Sequence, residues 1–540
     1  MADFDVIIVG GGHNGLTCGA YLAKAGLRVA VVEARDVVGG GTMTEELTAP
    51  GFRHNSCSNF FIGFDASPVP RDLDLKSYGS DFVVPEVQQA FIYGDRTALI
   101  VQQDLEATVS SVARFSSADA AVWKNLHERL WRARPLFVSL AYNPLSEGAA
   151  VSAAAVSQGI VTRAFSEELQ TVRPMSPFAV IDQYFEDERI RVVFKKLVHV
   201  IQATDSPGFG TMFFGLFLNL TRMCLPLGGC QTLAEALGRV ILAGGGTLFT
   251  GRRVRRIVVD GGRAKGVELE SGEVLEADEA VVAAIDFPQL TSLVGVEHFP
   301  GGVVEKANSW DWTSAHSLAT LHLALSEPPS YLAAEFDPKV AQAFNITFGV
   351  SDADELRRSM AEIAAGSFPS IPAGNGSCNT LFDPSYAPEG QHVAFWWPFA
   401  PFAVDGHETN WERRREEYAN RLLARWRDFA PNLTEKTLVG VHLRTPLDIA
   451  RDNTCMRYGS VRMGGYTAEQ FGVTRPHPDM ADYRVPGVEG LYHCASTSPN
   501  GGGVNGAPGY NAAGMIVEDL GVERWWPRMT LAYAAELSGS

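Results

Sequence analysis

Residues 5–33 read DVIIVGGGHNGLTCGAYLAKAGLRVAVVE, and the fold follows from this stretch. An apolar strand from Asp5 to Val9 runs straight into Gly10, Gly12 and Gly15, and a second strand, Arg28 to Glu33, ends in a carboxylate. The first glycine permits the tight turn out of the strand. The second lets backbone approach a pyrophosphate, and the third lets the following helix pack close to the strand. The pyrophosphate is expected on the helix N-terminus, beside His13 and Asn14, where unpaired N–H groups and the macrodipole favour an anion. Gly19 and Ala23 continue a small face at four-residue spacing, which lets the helix lie tight against the sheet. Glu33 is placed to accept ribose hydroxyls and to repel a 2′-phosphate.

Glycine spacing alone is weak, because a tight strand-to-helix turn needs no ligand. Strand, helix, small face and terminal acid in register make a dinucleotide the expectation. The next residues select which one. After Ala34, Arg35 and Asp36 comes a second glycine run, Gly39, Gly40 and Gly41, then Thr42. NAD folds seldom need it, whereas FAD folds use such a run where backbone passes the phosphates and the ribityl chain.

Two further regions read as parts of the same unit. The first opens at Leu225-Pro226-Leu227-Gly228-Gly229 and enters a helix, Thr232 to Leu242. Strands are expected at Gly246 to Thr250, Val254 to Asp260, Ala264 to Glu270 and Val274 to Ala277, with hairpin turns at Asp260-Gly261-Gly262 and Ser271-Gly272. A separate buried strand, Glu279 to Ile285, is expected to return to the sheet and end in Asp286-Phe287-Pro288, so no second GxGxxG cradle follows it. The second region is GLYHCASTSPNGGGVNGAPGYNAAGMIVEDLG, residues 490–521. Its strand, Leu491 to Ala495, leads into a long glycine loop and a helix from about Gly509 through Asp519, which reads as backbone pressed on a flat ligand.

The expected class is α/β. A discontinuous Rossmann-type unit from 1–60, 225–295 and 485–525 carries an inserted α+β substrate domain from 61–224 and 296–484, with 526–540 as a C-terminal tail. The first insert reads as largely helical. The second contains strand-like runs at Ser317 to Leu325 and His392 to Phe399. At 540 residues the chain is too long for one compact core. A net charge of −17 argues against a broad nucleic-acid or anionic-lipid surface, and no cationic cluster suited to an anionic substrate stands out. Seven scattered cysteines without a CxxC pair suggest neither a disulfide framework nor a zinc site. The cradle begins too near Met1 for a signal peptide, so a cytoplasmic location is expected. The apolar run Met212 to Leu218 has three readings: a buried helix or strand, a channel wall, or a shallow membrane contact at the periphery.

Together these stretches resemble the phytoene desaturase and carotenoid isomerase group of FAD-dependent oxidoreductases, especially its phytoene-dehydrogenase-like branch. The resemblance rests on Val9 to Asn55, Pro226 to Asp286, APEGQHV at Ala387 to Val393, and Gly490 to Ala513. It implies FAD as cofactor, with Glu33 on the adenosine ribose and Gly40 to Thr42 by the phosphates and ribityl chain. Val254 would meet the adenine through its backbone, and the segment around Gly503 and Val504 would meet the isoalloxazine. The expected cofactor-binding set is Gly10, Gly12, His13, Asn14, Gly15, Glu33, Ala34, Arg35, Gly40, Gly41, Thr42, Val254, Ala284, Ala495, Ser496, Gly503 and Val504. The chain departs from the group where Ala495 follows Cys494 in place of a glycine, and where Ser498-Pro499-Asn500 replaces Thr-His-Pro. Amine oxidases share the opening motif but carry Ala-Gly-Glu where this chain has Cys494-Ala495-Ser496, which disfavours an amine substrate.

The activity implied is desaturation of a largely hydrophobic small molecule by hydride transfer to flavin N5, with oxygen or a quinone as electron acceptor. The alternatives are a redox-neutral double-bond isomerase, an amine oxidase and a non-catalytic flavoprotein scaffold. No catalytic residue and no oligomeric state is assigned. His54 follows the first motif without marking a base, and His316 and His322 are expected to be satisfied core histidines.

Overall fold

In the computed structural model, which describes residues 3–200, 205–312 and 317–539, the opening strand spans Phe4–Val9 and the first helix His13–Lys24. That strand lies between Val29–Val32 and the long strand Val274–Ala283, both parallel to it. Thr247–Phe249 extends the sheet beyond Val29–Val32, and Leu491–His493 pairs with the far side of Val274–Ala283. Three distant stretches of chain therefore build one parallel sheet. Its inner strands, Phe4–Val9 and Val29–Val32, are largely buried and almost wholly apolar, as a sheet covered on both faces requires.

The two strands expected at Val274 to Ala277 and Glu279 to Ile285 are one continuous strand, Val274–Ala283. Its first half closes an antiparallel ladder with Arg263–Leu269, which pairs in turn with Val254–Asp260. Its second half enters the parallel sheet. The exposed-buried alternation of the first half gives way to the continuous burial of Ala280 to Ala283, and that change of pattern reads falsely as a break.

The helix Ala507–Asp519 crosses the first helix in backbone contact. A Cβ on Gly509 would stand 2.2 Å from the carbonyl of Asn14, and one on Gly15 would stand 2.4 Å from the carbonyl of Gly10. These close approaches bring the N-termini of both helices to the same side of the sheet.

A second sheet runs in the order Leu438–Arg444, Thr320–Leu325, His392–Ala400, Gly374–Ser377, Asn345–Phe348, Val87–Ile92 and Ala98–Gln102. The last two strands lie in the stretch expected to be largely helical; both are buried along nearly their whole length, so they lack the alternation that marks a half-exposed strand. The helices Leu105–Ala113 through Met212–Asn219 account for most of the rest of that stretch. The C-terminal segment is anchored by a helix, Leu531–Ser538, whose Tyr533 hydroxyl donates to Asp72 at 2.5 Å. Among the described residues no helix is long and apolar enough to cross a membrane.

Candidate functional site

The cradle turns as its glycines require. Gly10 adopts φ +103°, and its missing Cβ leaves room for the carbonyl of Ala284. A Cβ on Gly12 would meet nothing within 4 Å, so the space above it is open. Glu33 folds back on the turn, accepting from the amides of Gly11 at 2.7 Å and Arg35 at 2.9 Å. The carbonyls of Arg35 and Glu33 in turn accept from the amides of Gly251 and Arg252, which brings the segment before Val254 alongside the acid.

Between the two sheets lies a cavity of about 470 Å³. Its lining contains Gly12, His13, Asn14, Gly40, Gly41, Ala284, Ala495, Ser496, Gly503 and Val504, which are the expected residues the fold brings together. Glu33, Ala34, Arg35 and Val254 fall outside the lining, and Gly10 and Gly15 shape the turn beneath it. Thr42 is fully buried and spends its hydroxyl on the carbonyl of Gly39 at 2.8 Å, closing its own turn.

His13 links the two glycine segments. Its Nε2 lies 3.2 Å from the carbonyl of Gly503, and since a carbonyl only accepts, that nitrogen carries the proton. Burial pulls its pKa down to about 4, so the imidazole is neutral at neutral pH. Next to it the side-chain oxygen of Asn14 is buried without a partner, and among the described residues nothing accepts from the amides of Gly503 and Val504. Asn14, Gly503 and Val504 all belong to the cavity lining, so hydrogen-bonding capacity left unspent by the protein lies beside the space a flavin would fill.

The opposite wall is apolar. Along His392–Ala400, Phe395, Trp397 and Phe399 point into the cavity, while Trp396 points into the core and stacks on Phe348 at 4.5 Å. The run Met212 to Leu218 is a helix that serves two of its expected readings. Phe213, Phe214 and Phe217 are buried in the core, whereas Met212, Gly215 and Leu216 line the cavity. Ile62, 38% exposed and also on the lining, marks the mouth.

A third wall was not foreseen: Met456, Val461, Arg462, Met463, Tyr466 and Phe471 come from a stretch of short 3-10 turns that carries no motif or periodicity. Arg462 donates to the carbonyl of Gly502, and Tyr466 to that of Gly501 at 3.2 Å. Arg462 is a cation on this lining. Behind the apolar wall, Lys196 is 2% exposed with its ammonium 5.3 Å from the Phe399 ring, and burial pulls its pKa down to about 7. These residues stand far apart in sequence, so only the fold gathers them. No Asp or Glu lies among the described residues lining the cavity.

The histidine readings need one correction. His322 is a fully buried core residue, but neither ring nitrogen has a hydrogen-bond partner. Its ring packs 5.1 Å from that of His54, whose Nε2 meets the Thr48 hydroxyl at 2.8 Å. Burial, reinforced by the neighbouring His54 and His442, drives the His322 pKa far down. His316 lies outside the described residues. The seven cysteines are free thiols, and Cys57, on the cavity lining, lies 3.6 Å from the Met456 sulfur.

Comparison with known proteins shows the family and the fold. The family described as flavin containing amine oxidoreductase matches residues 15–508. The chain is 28% identical to a component of the limonene dehydrogenase of Castellaniella defragrans, over 99% of its length and 98% of that protein. It is 28% identical to pyridine nucleotide-disulfide oxidoreductase domain-containing protein 2 of Rattus norvegicus, over 96% of this chain and 94% of that one. A zeta-carotene-forming phytoene desaturase of Myxococcus xanthus is 26% identical over 60% of this chain and 58% of its own. Among solved structures, a putrescine oxidase triple mutant superposes with a TM-score of 0.59 at 17% identity, over 96% of this chain and 99% of that one, a likeness of fold.

Proposed function

The chain belongs to the flavin containing amine oxidoreductase family and is an FAD-dependent, phytoene desaturase-like oxidoreductase; from this we propose that it dehydrogenates a largely hydrophobic small molecule. The observation that carries the reading is the cavity lining, where Met212, Leu216, Phe395, Trp397 and Phe399 face the glycine segments and no carboxylate is present among the described residues. Apolar pockets with a few polar groups select apolar ligands and orient them. A protonated amine would leave its charge uncompensated there, beside Arg462.

In this reading Gly10, Gly12 and Gly15 seat the pyrophosphate, with His13, Asn14 and Ala284 beside it. Glu33, followed by Ala34 and Arg35, holds the ribose, and Val254 meets the adenine. Gly40, Gly41 and Thr42 shape the path of the ribityl chain, and Ala495, Ser496, Gly503 and Val504 back the isoalloxazine. Segments 1–60, 225–295 and 485–525 form the cofactor unit, with 61–224 and 296–484 covering the substrate. Bound FAD supplies a hydride acceptor at N5, so that two adjacent C–H bonds become a C=C bond. The protein excludes water and holds the substrate's C–H bonds toward that position. Oxygen or a quinone is the acceptor that restores the oxidised cofactor.

Limonene and phytoene, named by relatives of this chain, are the first candidates. Each is incubated anaerobically with oxidised holoenzyme while flavin absorbance and product mass are followed together. Desaturation predicts bleaching and loss of two hydrogens in equal amounts. An unchanged mass, with turnover only after prior flavin reduction, would make the enzyme an isomerase. Bleaching by amines alone would make it an amine oxidase.

A further inference from the structure

Arg475 is 2% exposed, and every hydrogen bond it makes runs to a backbone carbonyl. Its Nε and one terminal nitrogen donate to Ser496 at 3.1 and 3.0 Å, and the remaining bonds reach Gln470 at 3.1 Å and Arg462 at 2.8 Å. The guanidinium lies between the rings of Trp310, 5.4 Å away, and Tyr466, 5.1 Å away. No carboxylate pairs with it among the described residues. The other titratable groups that face it are Arg462, Lys306, His493 and Tyr466, none of them a carboxylate.

A buried charge without a counter-charge is costly unless a partner is supplied. Burial lowers the Arg475 pKa only to about 10, so the positive charge persists at neutral pH. One layer separates it from the cavity, because the residue whose carbonyl it holds, Ser496, is itself on the lining. Arg462, which lines the same wall, adds a second cation with no carboxylate partner among the described residues. In a chain of net charge −17, this wall is locally positive.

We propose that Arg475 is a positioning residue that fixes the Ser496 turn and, through its unpaired charge, stabilises negative charge on the reduced flavin. The inference rests on the seating of the isoalloxazine against Ala495–Val504 given above. Bound FAD would supply a hydride acceptor that gains two electrons and one net negative charge, the second substrate hydrogen leaving as a proton to solvent. A fixed cation behind that wall favours the charged product over the neutral reactant, because low-dielectric surroundings screen it weakly.

The test needs no substrate. Sulfite, an anion whose addition to flavin N5 also leaves a negative ring, is titrated into purified holoenzyme, and the two-electron midpoint potential is measured. In R475M and R475Q the sulfite dissociation constant is expected to rise about tenfold and the potential to fall by about 30 mV, the equivalent for a two-electron couple. R475K, which keeps the charge, is expected to stay within about twofold of wild type. Wild-type sulfite affinity and potential in flavin-loaded R475M or R475Q would reduce Arg475 to a loop prop and overturn the proposal. If neither variant retains flavin, the wild type decides. Its reduced spectrum should stay anionic to lower pH than that of free reduced FAD, and protonation at the same pH as the free cofactor would refute the idea. Failure to find a desaturase substrate would leave all of these readings unchanged.

Discussion

One carboxylate oxygen of Glu33 accepts from the amide of Gly11 and the other from the amide of Arg35, so a single side chain ties the end of the second strand to the cradle turn. Glu33 therefore shapes the turn, in addition to the ribose contact proposed above. Hydrogen bonds to a charged group contribute about 1.5–3 kcal/mol each. E33A is expected to weaken FAD binding by about 10- to 100-fold, and E33Q, which keeps one acceptor, by less. Flavin fluorescence on equilibrium dilution measures both; wild-type retention in E33A would remove Glu33 from the cofactor site.

Gly12 and Gly15 are expected to fail in different ways. A Cβ at Gly12 meets nothing within 4 Å, whereas at Gly15 it meets the Gly10 carbonyl at 2.4 Å and the Ala284 side chain at 2.7 Å. G12A apoprotein should melt within about a degree of wild type and bind FAD poorly. G15A should lose about 1–3 kcal/mol of apoprotein stability through overpacking. Calorimetry of the two apoproteins separates a ligand-reserved space from a packing contact; equal melting temperatures would contradict the distinction.

Trp396 and Trp397 are adjacent and point to opposite faces of one strand. W396A empties a core position stacked on Phe348 and should cost about 3–5 kcal/mol. W397A should cost less than about 1.5 kcal/mol and change which apolar ligands perturb the flavin spectrum. Urea unfolding of both variants is the check, and a larger loss for W397A would reverse the assignment.

The buried histidines make stability acid-sensitive. Burial lowers the pKa of His13 and His493 to about 4 and of His54 to about 3, and His322 lies well below the ordinary value. The unfolded chain takes up these protons near pH 6.5, so it binds more protons than the fold does between that pH and the depressed values. Stability is then complete above about pH 6.5 and falls as pH drops toward 4. H322L removes one such group, and its urea midpoint should decline less steeply than wild type between pH 6.5 and 5. Parallel slopes would show that His322 does not carry this linkage.

The cradle was legible because its chemistry is local: strand, turn, helix and acid fall within 29 consecutive residues, Asp5 to Glu33. The C-terminal glycine loop was legible for the same reason. Val87–Ile92 and Ala98–Gln102 were missed because buried strands carry no alternation, and the strand Val274–Ala283 was split because its environment changes midway. Arg462, Tyr466 and Arg475 were missed because nothing local marks them; their roles come from lying against Gly501, Gly502 and Ser496 after folding. His322 has the local pattern of a core residue, and its lack of partners depends on strands distant in the chain.

The contact of Gly509 with the carbonyl of Asn14, and of His13 with Gly503, sets an order of events during synthesis. Nearly the whole chain separates the two halves of the site, so the first helix leaves the ribosome long before its partner exists. Contacts of such sequence separation close late and slowly. The growing chain therefore exposes a glycine-rich groove that lacks its lid until the last helices emerge. On the cofactor seating proposed above, a chain cut short before residue 500 is expected to lack the isoalloxazine wall altogether rather than to hold flavin weakly.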